Sequence, residues 1–424
     1  MVDVSDEEVR EVYGTLTDDD GAANAREARN GIRHMVSLSV QKVADGLIDP
    51  KLVLAWLMNA VGAPAVLVSL LVPIREAGAL LPQILLAGVV QAREHRKWVW
   101  VAGCAVQGFA ALGIAAAAAL LEGWAAGLAI CVSLTVLALA RAACSVSYKD
   151  ILGKTVAKTR RGAVKGVAGS AASAAVLVFA LLLISGLLQD REPLIAAICL
   201  AAGLWLAAAA VFATLEEGRS EPQARAAVDL SPLREDPQFR RFIAARGALT
   251  ATALAPPYLV ILSGGDGALQ RLGALILASA AAAFVSSYVW GRLSDRSSRT
   301  VLILSGLAGA VSMAAAALAG AAGWTEGMIV APLVLFVMQI AYRGVRESRS
   351  TYLVDMAPKE SRSNYTAIAN TSIGLLLLAA GAFGGALSTG GAIWALCGFA
   401  ALSAIGALIA FGLDEVETTA GQDD

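Results

Sequence analysis

The sequence predicts an all-α integral membrane protein with twelve transmembrane helices, arranged as two pseudo-symmetric six-helix bundles. Three observations lead there. The apolar residues fall in twelve blocks of helical length, the basic residues gather on alternate loops, and the second half of the chain repeats the first. Hydrophobic residues make up 57% of the chain and charged residues only 16%, with a mean hydropathy of +0.67. A soluble domain carries about a quarter of its residues as Asp, Glu, Lys and Arg. Blocks of about twenty apolar residues match the thickness of a bilayer. They are rich in Ala and Leu and show no polar/apolar alternation, which favours helices over barrel strands.

The opening stretch, "MVDVSDEEVREVYGTLTDDD", is acidic and has no basic apolar signal peptide, and it is expected to be disordered. Ile32, Met35, Val36, Val40, Val43 and Leu47 then recur at helical spacing, with Arg29, Arg33, His34 and Lys42 among them. This predicts an amphipathic helix at about 30–48 within a cytoplasmic tail of residues 1–50. The pattern suits a helix on the inner membrane surface or one packed on the inner loops. The first six blocks are about 52–74, 76–92, 98–121, 124–147, 163–188 and 193–215, an N-terminal bundle over 51–215. A cytoplasmic linker rich in Pro and charge spans 216–240. The second six blocks are about 241–262, 268–290, 300–322, 325–343, 366–388 and 391–413, a C-terminal bundle over 241–413, with an acidic tail at 414–424. Pro256 and Pro257 predict a kink near the outer end of the seventh block.

Basic residues set the orientation. With the N-terminus inside, all but three of the 33 lysines and arginines lie on the inner side, the exceptions being Arg75, Arg191 and Arg271 in outer loops. Both termini are therefore expected in the cytoplasm, around a plasma (inner) membrane. No Asp or Glu falls in the middle of a block, since Glu76, Asp150 and Glu347 all sit at block ends. That argues against proton coupling through a buried carboxylate. The five cysteines lie inside apolar blocks and read as packing residues, while His34 and His95 lie outside the blocks. No metal site, catalytic cluster, ATP-binding motif or cofactor loop is present, so neither an enzyme nor a cofactor is expected. The expected partners are a small solute and the lipid bilayer. No nucleic acid is expected, and a monomer is the expected functional unit.

The repeat appears when residues 88–103 are set against 291–306: Gly88 meets Gly291, Arg93 meets Arg296, Arg96 meets Arg299 and Gly103 meets Gly306, at an offset of 203. Lys158 and Arg161 meet Lys359 and Arg362 at 201, and Arg141 meets Arg343 at 202. Parallel six-helix halves of this kind are a known transporter architecture. Over roughly 50–413 the chain resembles the major facilitator superfamily of transporters. The family's loop motif reads approximately G-x-L-[SA]-D-R-x-G-R-[RK], and "GRLSDRSSR" fits it at Gly291, Leu293, Ser294, Asp295, Arg296 and Arg299, departing at Ser298 where Gly is usual. The first-half copy keeps Gly88, Arg93 and Arg96 but has Ala92 in place of the Asp, with Glu94 nearby. "LALARAACSV" resembles the fourth-helix motif at Arg141, with Ser145 where Gly is typical.

The resemblance implies a secondary transporter moving a small solute across the cytoplasmic membrane by alternating access. It also implies a cytoplasmic gate, in which Asp295 latches onto the start of the fifth span at Arg160 and Arg161, with Arg362 as the counterpart for the first-half loop. The other reading is an ordinary loop whose arginines hold orientation while Asp295 caps the ninth helix. Candidate cavity residues are Asn59, Gln83, Arg141, Arg246, Gln339, Arg343 and Asn370. The arginines point to an organic anion, or else snorkel to the inner interface or pair with loop carboxylates such as Glu347. A transport-inactive membrane receptor or assembly factor is the alternative function, given the degenerate first-half motif.

Overall fold

The computed structural model describes residues 6–17, 24–187, 191–221, 229–265, 267–294, 296–358 and 361–416. Among them every regular element is helical. The chain opens with α1 (Asp6–Thr17) and α2 (Ala25–Leu47), the latter capped by Asn24, which accepts from the Glu27 amide. Pro50 has no N–H to continue the helix. Asp49 accepts from the amides of Lys51 and Leu52 at 2.9 and 3.0 Å, and the chain resumes as α3 (Val53–Ala60). Gly62, at φ 71°, and Pro64 make the next turn. Then α4 (Ala65–Val68), α5 (Leu71–Leu80) and α6 (Gln83–Gln91) run back as a jointed rod.

Four long helices follow: α7 (Lys97–Leu120), α8 (Gly123–Thr155), α9 (Arg161–Ile184) and α10 (Glu192–Ala213). Beyond the linker lie α11 (Ser231–Glu235), then α12 (Pro237–Leu249), α13 (Ala251–Leu254) and α14 (Pro256–Leu262). The last three form one rod, with its final joint at the proline pair. The chain ends with α15 (Ala268–Ser294), α16 (Ser298–Ala321), α17 (Val330–Met356), α18 (Arg362–Ser388) and α19 (Ala392–Ala410).

Three sequence expectations change. Residues 6–17, expected to be disordered, form α1, whose fully buried Tyr13 lies on Gly31 of α2 and whose Asp6 pairs with Arg29. The helix expected at 30–48 is α2, and it is neither on a surface nor on loops: it packs along α9 and α10 within the bundle. Its buried His34 has Nε2 2.8 Å from the Thr155 hydroxyl and lies edge-on to Tyr148 and Phe212, while Phe212 stacks on Trp100 with ring centroids 3.9 Å apart. Amphipathic spacing marks a polar face but not what that face meets.

The third change follows from the second. The apolar block 52–74 contains a turn, tied by the Gly123 amide donating to the Val61 carbonyl at 2.8 Å. Arg75 and Glu76 therefore leave the outer loop and block end and lie inside α5, midway along the rod from α4 to α6. Asp45 and Asp49 likewise sit within and just after α2, so the helices do carry internal carboxylates.

Among the described residues nine helices are long and apolar enough to cross a membrane, or ten if the bent rod of α4 to α6 is one span. Neither α2, α3 nor α17 qualifies: charged residues interrupt α2 and α17, and α3 is only eight residues long. In the N-terminal half α7 packs on α8 and α10, and α5 and α6 lie on α8; in the C-terminal half α16 packs on α17 and α19, and α12 on α18 and α19. The halves meet where α9 faces α15, α4 and α5 face α18, and α3 faces α14.

At the end remote from the linker the α9–α15 contact reaches the backbone. A Cβ on Gly273 of α15 would fall 2.7 Å from the Ala180 carbonyl oxygen and 2.8 Å from the Ile184 amide nitrogen, so α15 lies directly against the α9 backbone. Gly273→Leu is expected to lower stability by about 2 kcal/mol through overpacking. Thermal denaturation of the purified protein checks it, and an unchanged melting temperature would show that the halves do not close there.

Candidate functional site

Charged side chains from both halves meet at the centre, in three groups. In the first, the Asp45 carboxylate accepts from Arg75 Nη2 at 2.9 Å and binds Arg141 Nη1 through both its oxygens. One carboxylate therefore joins α2, α5 and α8. Arg141 neither snorkels nor stands free, because it has an internal partner. Arginine suits this role, since its charge survives burial and its fork carries several donors.

The second group crosses between the halves. Lys51 Nζ lies 3.7 Å from Glu76 Oε1 and 3.4 Å from the centroid of the Tyr342 ring. The Tyr342 hydroxyl donates to the same Glu76 oxygen at 3.4 Å. Lys51 comes from the break between α2 and α3, Glu76 from α5 and Tyr342 from α17. A cation over an aromatic face is strongest where water is excluded, and Lys51 is only 6% exposed.

The third group belongs to the C-terminal half. On α17, Tyr342, Arg346 and Arg349 follow one helical face at spacings of four and three. With Arg246 of α12, Thr250 and Glu76 they line a small niche. Arg246 is 4% exposed and its Nε has no hydrogen-bond partner. Among the described residues no carboxylate lies within ion-pair distance of Arg246, Arg343, Arg346 or Arg349, whereas Arg75, Arg141 and Lys51 of the other half are all paired. Arg343 faces a second, larger cavity of about 900 Å³ between α9 and α15, which also includes Asp49.

The other expected cavity residues lie elsewhere. Asn59 is exposed at the end of α3, where its amide lies near Gly264. Gln83 donates to the Ala79 carbonyl at 2.8 Å, and Gln339 to the Ser279 hydroxyl at 3.1 Å. Asn370, half-buried on α18, lines neither cavity. The residues missed by sequence reasoning are Asp45, Asp49, Lys51, Tyr342, Arg346 and Arg349, with Arg75 and Glu76 misplaced. The repeat carried the signal: shifting the seventh and eighth blocks back by 202 puts the first two at 39–60 and 66–88, which encloses all five ionisable residues from Asp45 to Glu76.

The loop residues are spread over the linker-side end. Gly291, Leu293 and Ser294 form the last turn of α15, and Asp295 lies outside the described residues. Ser297 caps α16, accepting from the Thr300 amide. Arg296 is exposed, and Arg299 pairs with Glu415 at 3.2 Å. In the first-half copy Gly88 is on α6, Arg93 is in the following loop, the Glu94 carbonyl accepts from the Ser220 amide, and buried Arg96 pairs with Asp150 at 2.5 Å. Arg160 pairs with Glu27 at 3.3 Å, Arg161 donates to the carbonyls of Val156 and Gly153, and Arg362 opens α18.

No family model and no curated protein sequence matches the chain. Solved structures do. A POT family transporter in complex with a thioalcohol-conjugated peptide is similar at a TM-score of 0.68 and 11% identity, over 91% of this chain and 96% of that one. A D-xylose-proton symporter is similar at 0.65 and 13%, over 91% and 98%. The nucleoside transporter NupG is similar at 0.63 and 13%, over 90% and 98%. The chain thus has the fold of the transporters of the major facilitator type, a multi-pass membrane architecture. At these identities the likeness is one of fold.

Asp45→Asn would leave Arg75 and Arg141 as uncompensated internal cations, at a cost of about 3 kcal/mol. The melting temperature of the purified protein should fall, and the double variant Asp45→Asn, Arg141→Gln should recover part of the loss. Equal melting temperatures for Asp45→Asn and the parent would remove Asp45 as a structural hub.

Proposed function

We propose that the protein is a secondary transporter that carries a small anionic solute by alternating access, through twelve spans in two pseudo-symmetric halves. With α2–α3, the rod of α4 to α6, and α17 added to the nine apolar spans, the count is twelve. The same packing recurs in both halves, α7 on α10 and α16 on α19. Glu217, just after α10, accepts from the Lys97 amide at the start of α7; Glu415, just after α19, accepts from Ser297 and Arg299 at the start of α16. The halves are then residues 25–215 and 237–413, so the N-terminal bundle takes in much of the expected tail. The basic linker-side end faces the cytoplasm by the distribution of Lys and Arg. On this reading the close α9–α15 approach at the far end belongs to an inward-facing state. The proposed cycle includes a latch of Asp295 on the start of the fifth span, at Arg160 and Arg161, in the outward-facing state.

The observation that carries the anion reading is Arg246, buried without a carboxylate partner beside Arg346 and Arg349. An internal cation is retained at a cost in stability, and a function accounts for the cost. Its substitution should therefore act in two directions. Arg246→Gln should melt no lower than the parent without solute, yet lose at least tenfold in affinity for any anion that stabilises the parent. Thermal-shift titration with small carboxylates and phosphate esters, followed by uptake into proteoliposomes, checks this. Undiminished anion binding in Arg246→Gln would overturn the reading.

The internal carboxylates also reopen proton coupling. Glu76 shares its niche with the arginines, so an arriving anion meets a like charge that protonation would relieve. Anion uptake should rise as external pH falls and become insensitive to pH in Glu76→Gln. A pH dependence of uptake that is unchanged in Glu76→Gln would exclude this residue.

A further inference from the structure

The cavity between α9 and α15 is built for more than a charged group. Its volume is about 900 Å³, within the usual range for sites that enclose a whole drug-sized ligand. Its charged residues are Arg343 and Asp49. Asp49 accepts from the Lys51 and Leu52 amides, and Arg343 is the basic side chain among the described residues of this wall. Nearly everything else on the wall is small or apolar, including Leu52, Val176, Ile276 and Phe284.

The α9 wall carries glycines where bulk would close the space. A Cβ on Gly166 would meet nothing within 4 Å, and one on Gly169 would meet only the end of the Lys42 side chain, at 3.6 Å. These two glycines are thus not required by helix contact, unlike Gly273, which lies against backbone. Lys51, seated over Tyr342 and beside Glu76 of the arginine niche, is followed in sequence by Leu52 on the wall of this cavity. Both spaces reach α17, where Tyr342 lines the charged niche and the next residue, Arg343, lines the largely apolar cavity. A hydrophilic solute would leave the apolar compartment filled with poorly bonded water. An apolar body placed there would be favoured by its transfer from water.

We propose that the transported anion is amphipathic, with an anionic head held by the central arginines and an alkyl or aryl body lodged between α9 and α15. This rests on the anion reading above, and the test separates the two. Binding is measured by intrinsic tryptophan fluorescence on the protein in lipid nanodiscs. The probes are linear carboxylates from acetate to decanoate, succinate as a hydrophilic dianion, and decyltrimethylammonium as a cationic amphiphile. Affinity should rise about fourfold for each added methylene, as burial of apolar surface predicts. In Gly166→Leu and Gly169→Leu, which fill open space, that dependence should flatten, with decanoate weakened more than tenfold and acetate unchanged. Succinate binding as well as or better than decanoate would overturn the amphipathic body while leaving the anion reading intact. Decyltrimethylammonium binding as tightly as decanoate would overturn both, as would the failure of every probe to bind. Retention of the chain-length dependence in both leucine variants would show that the apolar body lies elsewhere.

Discussion

The Asp45 carboxylate is the point on which the N-terminal half depends. It holds Arg75 of α5 and Arg141 of α8 against α2, three helices that apolar packing alone would leave free to rotate about their axes. Two cations on one carboxylate leave net positive charge, offset by the close charge-assisted pairs and by the partial access of Arg141 to water. The register they impose places Asp49 and Lys51 at the break in α2–α3 and brings Glu76 to the face of α5 that meets the other half. An interrupted helix with ionisable groups at its break is a recurrent way to build a transport site.

The two halves are unequal in charge. The N-terminal half pairs its internal cations with its own carboxylates. The C-terminal half presents Arg246, Arg343, Arg346 and Arg349 without a paired carboxylate among the described residues. Lys51, Tyr342 and Glu76 are where the two sides touch. A surplus of positive charge in a space with limited water attracts anions strongly, because weak screening lets each charge act at nearly full strength. On the proposed reading the same surplus disfavours cations.

The class of fold was legible in the sequence, and so were most helices from α7 onward, because long runs of Ala and Leu bounded by basic loops have few other solutions. The helices from α2 to α6 were not. Asp45, Asp49 and Lys51 lower the hydropathy of α2–α3, and Arg75 and Glu76 that of the rod from α4 to α6. The turn between them, around Val61, Gly62 and Ala63, is apolar. A reading by hydropathy therefore centres a span on a turn. The internal repeat held the correction, since its offset depends on topology and not on apolarity.

By itself the sequence determined an all-helical membrane protein, its repeat, the arginines Arg141, Arg246 and Arg343 as polar exceptions, and the sign asymmetry of its loops. These depend on composition and on spacing along the chain. Only the tertiary structure decided which charges are paired and which are not, because Asp45 and Arg141 are 96 residues apart and Glu76 and Tyr342 are 266 apart. An arginine neutralised within its own half is structural, and an arginine left facing a cavity is available to a solute. That distinction rests on a few ångströms between helices, which no one-dimensional pattern encodes.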